Sequence, residues 1–218
     1  MTFILKLKER LLEPLPGIET QLKMMNTSLR NNGPDRYRKV AEDAKKACVL
    51  LLLFRKEGAW HTVLMQRPET AYAHSKQISF PGGGLEDSDA DLAAGALRET
   101  EEEFGIPREN ISVVGRLSQL YIPVSGYLVY PFVGYLAEAP SYTPDPKEVA
   151  DIIEVKVEDL INPSLRKLTT IETPNGLTLK EVPYFDLEGK IVWGATAMML
   201  NEFSEILKTL QEEGHFKN

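Results

Sequence analysis

Four glutamates stand within five residues of the chain and could together attract a metal ion. They directly follow Arg98 and are Glu99, Glu101, Glu102 and Glu103. Like charges at this density repel one another on a helix, which favours a bound cation, and carboxylate oxygens suit hard divalent ions such as Mg²⁺ or Mn²⁺. The preceding glycine run, Gly82 to Gly84, lets the backbone approach a ligand closely. The pattern predicts metal-assisted chemistry on a phosphate-containing substrate.

The glutamates must be positioned by a helix, which is predicted from about residue 89 to residue 104 with Gly105 as its stop. The N-cap candidates are Asp87, Ser88 and Asp89. At about 100° per residue, three of the four carboxylates share a face with Gly95, and only Glu101 points elsewhere. The expected core stripe is Ala93, Leu97, Thr100 and Phe104. Without the adjoining glycine loop, the same acids would indicate only an exposed charged helix.

The remaining elements predict an α+β fold with a mixed sheet, because strands and helices do not alternate regularly. Strands are expected at 47–55, 60–66, 77–80, 111–120, 127–137 and 151–157, and hairpin strands within 168–193. Amphipathic helices are expected at about 2–13 and 195–211. We predict an N-terminal helical extension at 1–45 and one catalytic domain at 46–218.

Composition narrows the possible functions. The net charge is −7, so the chain carries no basic footprint for nucleic acid. Its single cysteine, Cys48, lies in an apolar run, which predicts a buried and inert thiol. That run is too short to span a bilayer, and the N-terminus lacks a signal-peptide pattern. We expect a cytoplasmic protein with no membrane or nucleic-acid partner.

The acidic segment resembles a known family motif. Residues 98–106 read Arg-Glu-Thr-Glu-Glu-Glu-Phe-Gly-Ile, which is similar to the second half of the Nudix hydrolase signature, with Thr100 at a position that is usually apolar. Phe80-Pro81-Gly82-Gly83 resembles the strand and loop that enter the motif. The resemblance implies a Nudix-like α/β/α sandwich that acts on a small-molecule nucleotide substrate. It also implies a possible homodimer, to which the apolar N-terminal helix would contribute. The first half departs from the motif, since Asp89 or Ala90, depending on register, stands where the family has Glu.

The resemblance also implies roles for individual residues. Glu102, Glu103 and the Gly82 carbonyl would ligate Mg²⁺ or Mn²⁺, Glu99 would be a ligand or the base that activates water, and Arg98 would orient the carboxylates. Asp89 would substitute for the first glutamate or cap the helix, and Glu86 is a further acid near the loop. A later carboxylate is expected as well, with Glu148 and Asp151 as the candidates.

Other segments are similar to the coenzyme A pyrophosphatases within this family. They are 64–67, 74–83, 122–129 and 192–196, although Lys76 replaces a glycine that the subfamily usually has. The residues expected to bind anionic phosphates are Arg67, His74, Lys76 and Gly83. The resemblance implies hydrolysis of coenzyme A or acyl-CoA to 3′,5′-ADP and (acyl-)4′-phosphopantetheine.

Two alternatives stay open from the sequence. One is a Nudix diphosphatase for ADP-ribose or a dinucleotide, which relative turnover would distinguish. The other is a catalytically silent Nudix module that senses a nucleotide, which would bind without hydrolysis. The intact run from Arg98 to Glu103 argues against the silent module, and the missing first glutamate argues for it.

Overall fold

The computed structural model describes residues 2–26, 33–69, 77–173 and 176–216, and within them the strands form two sheets. The large sheet contains β1 (Lys45–Lys56), β2 (Ala59–Gln66), β3 (Ile78–Ser79), β4 (Gly82–Gly84), β5 (Ser112–Arg116), β6 (Leu120–Ile122), β7 (Tyr127–Tyr135) and β8 (Asp151–Lys156). The small sheet contains β9 (Arg166–Glu172), β10 (Thr178–Leu187) and β11 (Lys190–Trp193).

Strand β1 is the centre of the large sheet. It runs parallel to β7 and antiparallel to β2 and β4, so the sheet is mixed. The main path of the sheet is β3-β2-β1-β7-β5, while β4, β6 and β8 pair with β1, β7 and β2 respectively. Successive residues of β1 point to opposite faces, and both faces are buried, which explains why its sequence is a continuous apolar run.

One long helix covers each face of the large sheet. The described helices are α1 (Thr2–Arg10), α2 (Gly17–Gln21), α3 (Asp35–Arg38), α4 (Leu92–Phe104) and α5 (Gly194–Glu212). Helix α4 packs with Cys48, Leu50 and Leu52 of β1, whereas α5 belongs to the core on the other face with Leu51 and Leu53. The α/β/α sandwich with a mixed sheet is therefore confirmed.

Several element boundaries differ from the sequence prediction. The strand expected at 111–120 is two strands, β5 and β6, and the residues between them are irregular. The predicted hairpin at 168–193 is a three-stranded sheet, because a second turn at Glu188-Gly189 adds β11. Pro174 and Asn175, at the centre of the first expected turn, lie outside the described residues.

The N-terminal segment packs onto the same core as the sheet. Helix α1 ends at Arg10 rather than near residue 13, and Leu12 is 83% exposed. Phe3, Leu7 and Leu11 are buried beside residues of α5. The division into an extension at 1–45 and a domain at 46–218 stays a prediction. No helix in the described ranges has both the length and the apolar character required to cross a membrane.

Candidate functional site

The glycine run forms β4, which lies between β1 and α4 and leaves no room for side chains at Gly82 and Gly83. Gly82 has φ +148°, and a Cβ there would lie 2.6 Å from the Val49 Cα. A Cβ on Gly83 would lie 2.6 Å from the Glu99 carboxyl carbon. Glycine is required at both positions because the backbone touches a strand on one side and a helix carboxylate on the other.

Helix α4 presents the acidic residues to this loop. It begins after Asp91, whose side chain accepts a hydrogen bond from the Ala94 amide at 2.8 Å, and it ends at Gly105 with φ +68°. The N-cap is therefore Asp91, and the three earlier candidates were wrong. A Cβ on Gly95 would lie 2.8 Å from the Cys48 Sγ, so this glycine allows the helix to approach β1 closely.

The buried side of α4 only partly follows the predicted stripe. Thr100 and Phe104 are buried as expected, whereas Ala93 and Leu97 are half-buried. Arg98 and Glu103 are also buried, because the helix turns its charged face toward the glycine loop rather than toward solvent. Charged side chains are seldom buried without partners, so both residues must be paired with groups of the loop and the helix.

Three carboxylates converge beside the loop. One oxygen from each of Glu99, Glu103 and Glu148 lies within 4.8 Å of the others. The Glu103 Oε2 accepts a hydrogen bond from the Gly82 amide at 2.8 Å, which fixes this side chain against the glycine run. Its Oε1 is buried and accepts no hydrogen bond from the described residues, although the Arg67 Nη2 lies 3.5 Å away.

Burial changes the acidity of two of these groups. Burial of the Glu103 side chain raises its pKa to about 8, against the opposing effect of the Arg67 guanidinium. Burial also raises the pKa of Glu99, although Arg98 acts in the opposite direction. Both shifts show that negative charge is costly here without a compensating cation.

Arg98 connects the helix to the chain segment before it. Its Nε and Nη2 donate to the two Asp89 carboxylate oxygens at 2.9 and 3.1 Å, and Nη2 also donates to the Gly84 carbonyl at 3.1 Å. Its Nη1 donates to Glu99 at 3.1 Å and Glu102 at 2.9 Å. The hydrogen bonds with Asp89 raise the pKa of Arg98, and reciprocally lower the pKa of Asp89. Arg98 is thus charged, and its guanidinium donates hydrogen bonds to both the helix and the loop segment.

The other predicted site residues divide into those near the cluster and those away from it. Glu102 is 56% exposed and binds Arg98 instead of joining the cluster, and Glu86 lies at the edge, 3.8 Å from Arg98. Asp151 pairs with Lys190 at 2.9 Å, so Glu148 is the downstream acid that the fold brings to the site. The Arg67 Nη2 donates to the Gly82 carbonyl at 3.2 Å.

Two predicted phosphate-binding residues, His74 and Lys76, lie outside the described residues. Sequence reasoning missed the contact of Gly95 with Cys48 and the capping role of Asp91. The capping role of Asp91 had a detectable signal, since Asp91 immediately precedes the apolar run Leu92-Ala93-Ala94. The contact of Gly95 with Cys48 had none, because it depends on how a helix packs on a strand that lies far away in the sequence.

The donor set at the cluster fits a divalent metal ion. Three carboxylates meet here, and one of their buried oxygens accepts no hydrogen bond from any residue that the structure describes. Hard cations prefer such all-oxygen sites. Glu99, Glu103 and Glu148 would hold the ion. The Gly82 carbonyl retains a second lone pair beside its bond from Arg67 and could contribute as well.

The fold and site define a Nudix-type phosphoanhydride hydrolase, and comparison with known proteins agrees. The NUDIX domain family matches residues 44–173, and the chain belongs to this family. It is 31% identical over 172 residues to a protein of Photorhabdus laumondii called "Uncharacterized Nudix hydrolase NudL", covering 79% of this chain and 90% of that protein. The protein of the same name from Pectobacterium atrosepticum is 30% identical over 142 residues, or 65% and 72% of the two chains.

A solved structure supports the fold. The Nudix hydrolase RenU from M. smegmatis superposes with a TM-score of 0.53 at 18% identity, covering 77% of this chain and 88% of that one. The chain is therefore a Nudix pyrophosphatase in class.

Proposed function

We propose that the protein hydrolyses the diphosphate bond of coenzyme A or acyl-CoA, giving 3′,5′-ADP and (acyl-)4′-phosphopantetheine, with Mg²⁺ or Mn²⁺ as cofactor. The observation that carries the hydrolytic part is the convergence of Glu99, Glu103 and Glu148 beside the glycine loop. A bound divalent ion supplies neutralisation of the diphosphate and polarisation of its phosphorus–oxygen bonds.

The chain's own residues supply orientation and proton transfer. Arg98 holds Glu99 from one side while Gly83 leaves no free space on the other, so the carboxylate has a fixed position. The Glu99 oxygen that does not bind the ion can act as a general base, which accepts a proton from the attacking water as a bridging phosphorus–oxygen bond breaks. The Arg67 guanidinium, one-third exposed beside Gly82, attracts the anionic substrate to the loop.

Support for coenzyme A comes from segments outside the acidic helix that resemble the coenzyme A pyrophosphatases. Two of these segments are in contact, because the Thr196 Oγ1 donates to the Ile78 carbonyl at 3.0 Å. Ile78 lies in β3, the strand that leads into the glycine loop, so this hydrogen bond connects α5 to that strand. The segment at 192–196 therefore lies against the strand that enters the loop.

The first test is hydrolysis of coenzyme A, ADP-ribose and NADH with Mg²⁺ or Mn²⁺, using wild type, Glu99→Gln and Glu101→Gln. Glu101 is a matched control, since it lies on the same helix but binds Arg108 away from the cluster. We expect coenzyme A to be cleaved most efficiently, with activity lost in Glu99→Gln and retained in Glu101→Gln. Preference for another nucleotide would contradict the substrate assignment, and binding without turnover would support a sensing module.

A further inference from the structure

A cationic cleft lies at the end of β4, next to the candidate active site. Its volume is about 410 Å³, and its lining residues are Ala44, Lys45, Lys46, Gly84, Leu85 and Tyr127. The cleft forms where three strands meet: Lys45 is paired with Tyr127 of β7, and the Leu85 amide donates to the Lys46 carbonyl at 3.1 Å. Its floor is therefore built from paired backbone rather than from a free loop.

Lys45 and Lys46 supply the positive charge of the cleft. Lys45 and Lys46 are exposed, and within the described part of the chain neither forms a salt bridge. Among the acids close to these residues in sequence, Glu86 and Asp89 face Arg98, whereas Glu42, Asp43 and Asp87 are exposed to solvent. In a chain of net charge −7, two adjacent lysines without carboxylate partners make a local site of attraction for an anion.

The cleft also lies at a short distance from the carboxylate cluster. Gly84, which lines it, accepts a hydrogen bond from Arg98, and its neighbour Gly83 contacts Glu99. Cys48 is paired with Gly83, and Lys46 is two residues earlier on the same face of β1, or about 7 Å along the strand. A nucleotide whose diphosphate reaches the cluster can therefore extend its sugar toward the cleft.

We propose that the Lys45–Lys46 cleft binds a phosphomonoester on the nucleoside part of the substrate, such as the 3′-phosphate of coenzyme A. This rests on the proposed function and deepens it, because ADP-ribose and NADH lack such a group. Lys46 leaves the same face of β1 as Cys48, and Lys45 lines the cleft from the opposite face at the strand end. A lysine ammonium carries three donors, and a charge-assisted hydrogen bond to a phosphate oxygen is stronger than a neutral one. The cleft would thus select among nucleotides that share the same diphosphate.

Direct binding tests this without requiring turnover. Calorimetry would compare 3′,5′-ADP with 5′-AMP on wild type, on the double variant Lys45→Gln/Lys46→Gln, and on Lys8→Gln. The last removes an exposed charge from α1, a helix that contributes no residue to the lining of the cleft. We expect wild type and Lys8→Gln to bind 3′,5′-ADP roughly tenfold more tightly than 5′-AMP. The double variant should lose this preference while its affinity for 5′-AMP is unchanged.

In turnover, wild type and Lys8→Gln should have a higher kcat/KM for coenzyme A than for dephospho-coenzyme A. The double variant should lose this preference. A binding ratio near one in wild type, an unaltered ratio in the double variant, or an equal loss for both nucleotides would overturn the assignment of the cleft. Failure of wild type to cleave coenzyme A would instead contradict the proposed function, while the binding ratio would still decide whether the cleft recognises the monoester.

Discussion

Asp89 and Arg98 face each other through two hydrogen bonds, from Nε to Oδ1 at 2.9 Å and from Nη2 to Oδ2 at 3.1 Å. Two charge-assisted bonds between separate atom pairs fix the orientation of the guanidinium. Because the same guanidinium also reaches Glu99 and the Gly84 carbonyl, the orientation of Arg98 is transmitted to both the helix and the loop. Asp89 is therefore an element of the site's support rather than a helix cap.

The change Asp89→Asn should weaken both stability and catalysis. It replaces one acceptor oxygen with an amide that cannot accept from Arg98, and we expect a loss of about 2 kcal/mol in the free energy of unfolding. Activity should fall because Arg98, which donates a hydrogen bond to Glu99, is no longer held in one orientation by Asp89. Chemical denaturation and kcat/KM for the cleaved substrate would measure these effects, with Asp87→Asn, an exposed acid two residues earlier, as the control. Equal behaviour of the two variants would contradict the supporting role.

Glu148 and Asp151 provide a second matched comparison. Glu148 lies with Glu99 and Glu103, whereas Asp151 is 50% exposed and bonded to Lys190. Glu148→Gln should lower Mn²⁺ affinity by at least roughly tenfold, the loss seen even for groups that only support a metal ligand. Asp151→Asn removes an exposed ion pair and should change the Mn²⁺ affinity little. Titration of Mn²⁺ followed by electron paramagnetic resonance would decide, and a larger loss in Asp151→Asn would reverse the assignment.

Local features of the site were predictable from sequence, whereas its long-range contacts were not. Helix α4 and the shared face of its glutamates depend on local spacing, and Gly105 ends the helix as expected. The choice between Glu148 and Asp151 depends on how β8 pairs with β2, which places Asp151 opposite Gln66 and near Lys190 of the small sheet. Such long-range pairing has no local signal. The role of Asp89 was ambiguous for the same reason, since its hydrogen bonds with Arg98 depend on how the loop folds back onto the helix.

Gly83 should be far less tolerant of substitution than Gly84. A Cβ on Gly83 would displace the Glu99 carboxylate, whereas a Cβ on Gly84 would meet no atom within 4 Å. We expect Gly83→Ala to lower kcat by roughly a hundredfold, as a misplacement of about 1 Å can do, while Gly84→Ala keeps most activity. Steady-state kinetics would measure this, with circular dichroism to verify that both variants are folded. Comparable activity in the two variants would contradict the required close approach of Gly83 to Glu99.

The stability of the metal-free protein should depend on pH through Glu103. Burial raises the pKa of Glu103 from its ordinary 4.5 to about 8, so between these values the folded state holds a proton that the unfolded state releases. Its stabilising contribution is complete below about pH 4.5 and is lost as pH rises through 8. In chelator, the midpoint of thermal unfolding of wild type should therefore fall between pH 6 and 8.5 more steeply than that of Glu103→Gln. Parallel slopes in the two proteins would contradict this linkage.

The N-terminal segment should contribute to global stability through Glu202 of α5. This carboxylate is fully buried and accepts hydrogen bonds from the Gly17 amide at 2.9 Å, the Gln21 side chain at 2.8 Å and the Ser118 amide at 3.2 Å. Glu202→Ala leaves these donors unpaired, so we expect a loss of about 3 kcal/mol in the free energy of unfolding. Glu205→Ala, on the same helix, removes only the pair with Lys208 and should cost less than about 1 kcal/mol.

Chemical denaturation of the full chain would distinguish two arrangements of the N-terminal segment. If residues 1–45 were an appendage that unfolds separately, Glu202→Ala would alter only an early, minor transition and leave the main one unchanged. The burial of Phe3, Leu7 and Leu11 beside α5 favours a single cooperative transition that shifts as a whole. Because α5 also contacts β3 through Thr196 and Ile78, such a shift would mean that the N-terminal segment stabilises the strand leading into the catalytic loop.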